Sequence, residues 1–165
     1  MCEALAARET DAPNDPFILV LKGVYHPVAH APNLGLSSVN LSDGSYSTSK
    51  IYPVFGIAGS GNDDNREDGA IGNFCVQFNG NLCAYQLPGG AIAMQFIPGA
   101  GFTAHSDGHG GQFLEGTFEL TVLEATGVYR AFKGGHNHMV DKLHKLADGR
   151  FDEFCFCIIS TYQFP

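Results

Sequence analysis

Hydrophobic and polar residues alternate along several short segments of this chain. In residues 73–79, for example, Phe74, Val76 and Phe78 are separated by smaller or polar residues. Side chains of a strand point alternately to its two faces, so this pattern predicts strands with one buried face. By this criterion and by apolar runs, strands are predicted over residues 17–25, 46–57, 73–79, 82–87, 91–97, 113–124, 128–133 and 153–160.

Turn-forming sequences separate these segments. Asn79-Gly80-Asn81 follows one predicted strand, and Pro88-Gly89-Gly90 follows the next. Tight turns of this kind join antiparallel neighbours. We therefore expect residues 73–79, 91–97 and 113–124 to form neighbouring or near-neighbouring strands of an antiparallel sheet.

One late segment follows a different pattern. The apolar residues from Met139 to Leu146 recur at helical spacing, Asn137 can cap the start of a helix, and Gly149 can end it. The sequence therefore predicts a short C-terminal helix over residues 137–147. Many short strands with a single helix favour an antiparallel barrel over a parallel α/β sheet.

Length and composition agree with one mainly-β domain. The 165 residues are 44% hydrophobic and 12% aromatic, with 21 Gly for tight turns. Residues 1–16 are predicted to be a flexible leader, followed by a single barrel domain over residues 17–165. An odd number of Cys, five, argues against a disulfide scaffold and for a reducing compartment.

The charge excludes several classes of partner. The net charge of −8 argues against nucleic acid and against anionic membrane surfaces, because both need a basic footprint. No apolar run approaches the ~18 residues of a membrane span. The leader is acidic and lacks a hydrophobic centre, so it is not a secretory signal, and a cytoplasmic protein is expected.

A family resemblance is carried by residues 119–135. There a predicted strand runs into the turn Ala125-Thr126-Gly127 and continues with Tyr129, Arg130 and Gly134. This segment resembles a stretch shared by plant dirigent proteins and allene oxide cyclases. The chain departs from the family pattern after Gly135, where a predicted helix replaces strand. It also lacks the secretion signal of dirigent proteins, so it looks more like an intracellular, cyclase-like relative.

The resemblance implies an eight-stranded antiparallel barrel, often a homotrimer, whose lumen holds one small hydrophobic molecule. It implies no metal and no redox cofactor. The expected function is a cyclase or isomerase of specialised metabolism in plants, which directs the stereoselective ring closure or rearrangement of its substrate. The alternative is a non-catalytic, dirigent-like protein that only binds and orients its ligand. An apolar barrel suits either function, since a lumen of this size admits one small ligand.

Five residues in or beside this segment are candidate catalytic groups. Arg130 and Tyr129 alternate on a predicted strand, so one of them would face the lumen, where Arg130 would bind a carboxylate or an enolate-like oxygen. His136 and His138 could transfer protons at the mouth of the pocket. Glu119 could do so if its face of the strand lined the lumen, although the apolar opposite face favours acids directed to water.

Two segments also allow a metal-binding interpretation. His136 and His138 have a common metal-ligand spacing, with Asp141 three residues on, as in a metal-dependent cupin. The second half of a cupin motif is missing, and a solvated face at a helix N-terminus explains the same residues. The acidic loop of residues 59–69 does not match the spacing of a calcium loop.

The predicted substrate pocket is aromatic. Alternation places one set of side chains on the apolar faces of the strands, and tyrosine hydroxyls within it are candidate donors. The residues assigned to substrate binding are Tyr25, Phe74, Phe78, Tyr85, Met94, Phe96 and Phe118.

Overall fold

The computed structural model describes residues 13, 15–28, 46–53, 72–77, 81–87 and 89–163. Of these, residues 20–28, 46–53 and 72–77 are described by their backbone alone. Within this part of the chain, the fold is mainly β. The strands are β1 (Phe17–Val28), β2 (Tyr46–Pro53), β3 (Gly72–Gln77), β4 (Leu82–Leu87), β5 (Gly90–Phe96), β6 (Thr103–Ser106), β7 (Gln112–Ala125), β8 (His136–Lys145) and β9 (Phe151–Ser160).

All the strand pairings are antiparallel and belong to one curled sheet. The strand order is β5-β4-β3-β2-β1-β9-β8-β7-β6, and β5 also pairs with β7. The sheet curls as a half-barrel, with its apolar side chains on the concave side. We call this concave side the inner face and the opposite side the outer face.

The prediction of a mainly-β fold is confirmed. The predicted strands over residues 73–79 and 91–97 correspond to β3 and β5, which flank β4, and residues 113–124 lie within β7, which pairs with β5. Strand β6 was not predicted, because its residues do not alternate between hydrophobic and polar. Among the described residues, no helix has the length and apolar character needed to cross a bilayer.

The predicted C-terminal helix is wrong. Residues 136–145 form β8, which pairs with β7 on one side and β9 on the other. In a helix, one polar face would hold His138, Asp141, Lys142 and Lys145. In the strand, His138 and Lys142 lie on one side of the sheet, and Asp141 and Lys145 lie on the other. Two long ladders of backbone hydrogen bonds outweigh the local helical pattern, because tertiary pairing routinely overrides propensity.

The predicted strand over residues 128–133 is also wrong. Gly127–Phe132 is a 3-10 helix whose buried side chains are Tyr129 and Phe132. Both rings pack on Phe17, with centroid distances of 5.7 and 5.0 Å. Residues three apart share a side in this tight helix, so these two aromatics cover one end of the inner face.

Backbone packing fixes the 3-10 helix against β5. The hydroxyl of Thr126 accepts a hydrogen bond from the Ala91 amide at 2.9 Å, and the Val128 amide donates to the Gly89 carbonyl at 3.0 Å. A Cβ on Gly90 would collide with the Thr126 carbonyl oxygen. Glycine is therefore required at this close approach.

Alternation along β7 and β8 separates the two faces. On β7, Phe118, Leu120 and Val122 are buried on the inner face. On β8, the inner residues are Asn137, Met139, Asp141 and Leu143, all buried. The inner face of β8 thus carries two polar residues among its apolar neighbours.

Candidate active site

A cavity of about 390 Å³ opens on the inner face, at the end away from the 3-10 helix. Strand ends and the loop after β5 surround it, and its walls are mostly apolar and aromatic. The lining residues are Asn81, Cys83, Tyr85, Phe96, Ile97, Pro98, Gly99, Ala100, Gly101, Phe102, Phe118, Met139, Asp141, Leu143 and Glu153. A concave apolar pocket with a few convergent polar groups is typical of a small-molecule site.

Three phenylalanines form one wall of the cavity. Phe118 meets Phe96 edge to face at a centroid distance of 5.4 Å and Phe102 at 4.9 Å. Phe118 is buried, whereas Phe102 is 40% exposed at the start of β6. Phe102 therefore lies where the cavity meets solvent, and the wall behind it is held by ring packing.

Two carboxyl groups lie side by side in the cavity. Asp141 is an inner residue of β8 and Glu153 an inner residue of β9; they are 6% and 7% exposed. The register pairs Asp141 with Cys155 and Leu143 with Glu153, so the two acids are diagonal neighbours across the strand pair. A side-chain hydrogen bond joins them.

Burial changes the acidity of this pair. It raises the pKa of Asp141 to about 7, although the hydrogen bond from Glu153 and a backbone bond from Lys142 partly oppose the rise. The pKa of Glu153 is raised well above its ordinary value, first by burial and then by the charge of Asp141. The pair consequently keeps at least one proton at neutral pH.

One oxygen of the pair has no hydrogen-bond partner in the part of the chain that the structure describes. The Oδ1 atom of Asp141 is buried and lacks a hydrogen bond among the described residues. Buried polar atoms are nearly always satisfied, so an unpartnered one beside a cavity marks a place where a ligand group or water fits. Asp141 is therefore the member of the pair with an open position.

Thiols and a phenol lie next to the acids. The Tyr85 hydroxyl is 3.4 Å from Cys155 Sγ and 3.8 Å from Met139 Sδ, and Cys155 Sγ is 3.4 Å from Cys157 Sγ. Burial raises the pKa of Tyr85 well above its ordinary value. The hydrogen bond with Cys157, followed by burial, raises the pKa of the Cys155 thiol. The phenol of Tyr85 and the thiol of Cys155 are therefore uncharged at neutral pH.

Among the described residues, the arrangement nearest to a metal centre is Asp141, Glu153 and Cys155. One donor atom from each lies within 4.8 Å of the others. However, the two carboxyls already bond each other, and the Cys155 thiol is engaged with its own neighbours. The chemistry that this arrangement supports directly is proton transfer by a buried acid pair.

The predicted catalytic residues Tyr129 and Arg130 do not line the cavity. Both belong to the 3-10 helix, where Arg130 is exposed and Tyr129 is buried against Phe17. The strand alternation that would have directed one of them into the lumen does not exist. The expected luminal arginine is thus a surface residue, and burial raises the pKa of Tyr129 within the packed end of the fold.

The predicted catalytic residues His136, His138 and Glu119 meet on the outer face. His136 Nε2 bonds one carboxylate oxygen of Glu119, and His138 Nδ1 bonds the other. The cross-strand register explains the contact, because Glu119 on β7 pairs with His138 on β8. The sequence places the two histidines at the mouth of the pocket and favours a Glu119 that faces water; in the structure, none of the three residues lines the cavity.

The predicted substrate-binding set is placed in part. Tyr85, Phe96 and Phe118 line the cavity. Met94 is fully buried on β5, where its sulfur accepts a hydrogen bond from Asn137 Nδ2 at 3.2 Å, and it is not a lining residue. The remaining predicted positions, Tyr25, Phe74 and Phe78, lie outside the described side chains. The acidic loop of residues 59–69 also lies outside the described residues, and of the predicted leader over residues 1–16 the structure describes residues 13, 15 and 16.

The acid pair was not recognised from the sequence. Glu153 begins the run Glu153, Cys155, Cys157, Ile159, in which every second residue is buried. That alternation is a signal for an inward carboxyl. Asp141 likewise alternates with Met139 and Leu143, but the apolar residues beside them also fit a helix, and the helical pattern concealed the strand.

Comparison with known proteins identifies no relative: no protein-family model, curated protein or solved structure matches this chain.

Proposed function

We propose that this protein is an isomerase or cyclase that binds one small, hydrophobic substrate on the inner face of its sheet and rearranges it by proton transfer. One observation carries the proposal: an apolar cavity of about 390 Å³ contains a buried pair of hydrogen-bonded acids. Perturbed acids in a cleft are typical of functional sites. No cofactor is required for such chemistry.

Each member of the pair has a role in this mechanism. Asp141, with a pKa raised to about 7 and an open Oδ1, gives a proton to the substrate or removes one. Glu153 holds its proton more tightly and donates to Asp141, so it stabilises the ionised form of its partner. A group that titrates near the working pH is the most efficient general acid or base. The aromatic wall excludes water and orients the substrate.

A closed eight-stranded barrel is part of the proposal. The pairing of β5 with β7 supports it. Strand β5 is at one end of the strand order and β7 is next to the other end, so this pairing would close eight strands into a ring, with β6 attached beside β7. A relationship to the dirigent and allene oxide cyclase families is likewise proposed, on the motif in residues 119–135. The motif's residues act in this scheme by forming β7, which contributes Phe118 to the cavity wall, and the 3-10 helix, which covers the opposite end of the inner face.

The proposal is tested by turnover in deuterated water. Purified protein is screened against small hydrophobic substrates, and product formation and incorporation of solvent deuterium are followed by NMR. Asp141→Asn is expected to retain substrate binding and to lose turnover by about 10²–10⁴-fold, the contribution of a positioned acid or base. Glu119→Gln is the matched control, since it changes a carboxyl on the outer face.

Two results would contradict this function. Turnover that survives in Asp141→Asn and in Glu153→Gln would remove the acid pair from the mechanism. Binding without turnover or deuterium incorporation in the unmodified protein would favour the non-catalytic, ligand-orienting function. Arg130→Ala and His138→Ala are expected to keep full turnover, because neither side chain lines the cavity.

A further inference from the structure

The cavity is acidic and contains no basic group among its described lining residues. Its ionisable side chains are the carboxyls of Asp141 and Glu153, the thiol of Cys83 and the phenol of Tyr85. Any negative charge that forms there belongs to a carboxylate. The arginine that the sequence suggested for this position is exposed at the 3-10 helix, so nothing described in the cavity offers charge to an anionic ligand.

When Asp141 is ionised, the open position in the cavity is an acceptor position. Ionised Asp141 already accepts the hydrogen bond from Glu153, and its Oδ1 has lone pairs but no donor. An ionised carboxylate accepts hydrogen bonds and cannot donate them. A ligand that completes the site must therefore bring an N–H or O–H donor to Oδ1.

The aromatic wall adds a second preference. Phe118 packs edge to face with both Phe96 and Phe102, and all three rings line the same cavity as the acids. Aromatic rings attract organic cations, and they do so most strongly where water is excluded. A positively charged donor is thus favoured by the rings as well as by the carboxylate.

We propose that the physiological ligand of this cavity is a hydrophobic amine, whose ammonium group binds Asp141 Oδ1 and whose apolar part lies against the phenylalanine wall. This inference rests on the proposed function and specifies its class of substrate. It separates the cavity from one built for a carboxylic acid, since a carboxylate would meet two acids and, among the described lining residues, no compensating cation.

Binding of an amine is coupled to the protons of the pair. When an alkylammonium ion enters while Asp141 is protonated, Asp141 gives its proton to the solvent and becomes the counter-ion, so one proton is released for each cation bound. A neutral alcohol needs no such release. Glu153 keeps its proton and its hydrogen bond to Asp141 in either case.

Calorimetric titration with three probes of similar shape tests the inference. Phenethylamine, phenethyl alcohol and phenylacetate are titrated into the full chain slightly below neutral pH, in two buffers of different ionisation enthalpy. The amine is expected to bind about tenfold more tightly than the alcohol, the gain of one charge-assisted hydrogen bond, and phenylacetate more weakly than both. Only the amine should show a buffer-dependent enthalpy corresponding to proton release.

Variants assign the effect to Asp141. In Asp141→Asn, the preference for amine over alcohol and the proton release should disappear while the alcohol still binds. Glu115→Gln, an exposed carboxyl on the outer face, is the matched control and should keep the preference. If Asp141→Asn fails to fold, the probe series on the unmodified protein decides the question alone.

The outcomes separate this inference from the proposed function. If phenylacetate binds as tightly as phenethylamine, or if the alcohol equals the amine without proton release, the amine inference is wrong and an apolar substrate site remains. If the amine preference is kept in Asp141→Asn, the cation binds elsewhere and the inference is also wrong. If neither these three probes nor any other hydrophobic molecule binds, both the amine inference and the proposed function are wrong.

Discussion

Carboxyl groups on the two faces of the sheet formed by β7, β8 and β9 have different hydrogen-bond partners. On the outer face, carboxylates have basic partners: Glu119 bonds His136 and His138, and Glu115 is 3.4 Å from Lys142. On the inner face, Asp141 has only another acid, Glu153, as its side-chain hydrogen-bond partner among the described residues. The outer carboxylates are paired with basic side chains. The inner carboxyl lies beside another acid and a cavity, an arrangement that shifts pKa values and is typical of functional sites.

The largest expected effect is on the pH dependence of stability, through Asp141. Its pKa is raised from 3.8 to about 7 by folding, so the folded chain keeps a proton that the unfolded chain has lost. This contribution to the free energy of unfolding is fully present below pH 3.8 and is lost as pH rises through about 7. The loss is about 1.4 kcal/mol per pH unit, on the order of 4 kcal/mol across the window.

Urea denaturation between roughly pH 4 and pH 7 measures this effect. In Asp141→Asn, the free energy of unfolding should fall less steeply with pH, by the contribution of about one proton. Glu153 should still make it fall with rising pH. Glu115→Gln should leave the slope unchanged. An identical slope in Asp141→Asn and the unmodified protein would show that the inner acid is solvated like an outer one, and the contrast between the faces would be lost.

The second effect in size concerns the outer cluster around Glu119. Glu119→Ala removes the carboxylate that bonds His136, which is only 5% exposed, and His138. Losing a partner of a buried polar group costs about 1–3 kcal/mol of unfolding free energy. Thermal or urea unfolding checks this value, and binding in the cavity should be unaffected. A loss of ligand affinity without a loss of stability would give the outer face the role assigned here to the inner one.

A local effect is expected at Asp107, before β7. Its carboxylate bonds His144 Nε2 at 2.8 Å and accepts the amides of His109 at 2.7 Å and Gly111 at 2.9 Å. The bond with His144 is the main reason that the pKa of Asp107 falls to about 2. This support is present above the ordinary pKa of 3.8 and is lost as pH falls through about 2.

Hydrogen exchange of single amides tests this prediction. Asp107→Asn should speed exchange at His109 and Gly111 and leave amides in the middle of β8 unchanged, because the turn opens without the sheet. Uniform acceleration across the sheet would mean that this outer carboxyl supports the whole fold rather than one turn.

The smallest effect is expected at the exposed pair of Glu115 and Lys142. Both side chains are more than half exposed, and the atoms are 3.4 Å apart. Exposed ion pairs contribute little, so Lys142→Met should change the free energy of unfolding by no more than about 0.5 kcal/mol. A larger change, measured by urea denaturation in low salt, would show that this outer pair is an energetic element of the sheet.

The sequence predicted strands best where every inward residue is apolar. Strand β7 was recognised because Phe118, Leu120 and Val122 alternate without interruption. Strand β8 was missed because its inward residues include Asn137 and Asp141, so apolar alternation is absent. Sites that place polar groups inward weaken the pattern by which strands are recognised, and the error therefore fell on the strand that carries the site.

The aromatic part of the candidate site was predictable from the sequence, but its acid pair was not. Tyr85, Phe96 and Phe118 were assigned to the pocket because alternation places them on apolar faces, and they line the cavity. Arg130 and Tyr129 were assigned to the lumen by strand alternation in a segment that forms a 3-10 helix. The proximity of Asp141 and Glu153 depends on the register between β8 and β9, which no local pattern specifies.

The buried acid pair also changes how the protein behaves in an electric field. The formal charge of −8 counts all 17 acidic residues as ionised, including Asp141 and Glu153. In mildly acidic solution the folded chain holds both as neutral acids, whereas the unfolded chain ionises them. Native protein should therefore focus at a higher isoelectric point than the same chain in urea, and each molecule that unfolds should acidify its surroundings.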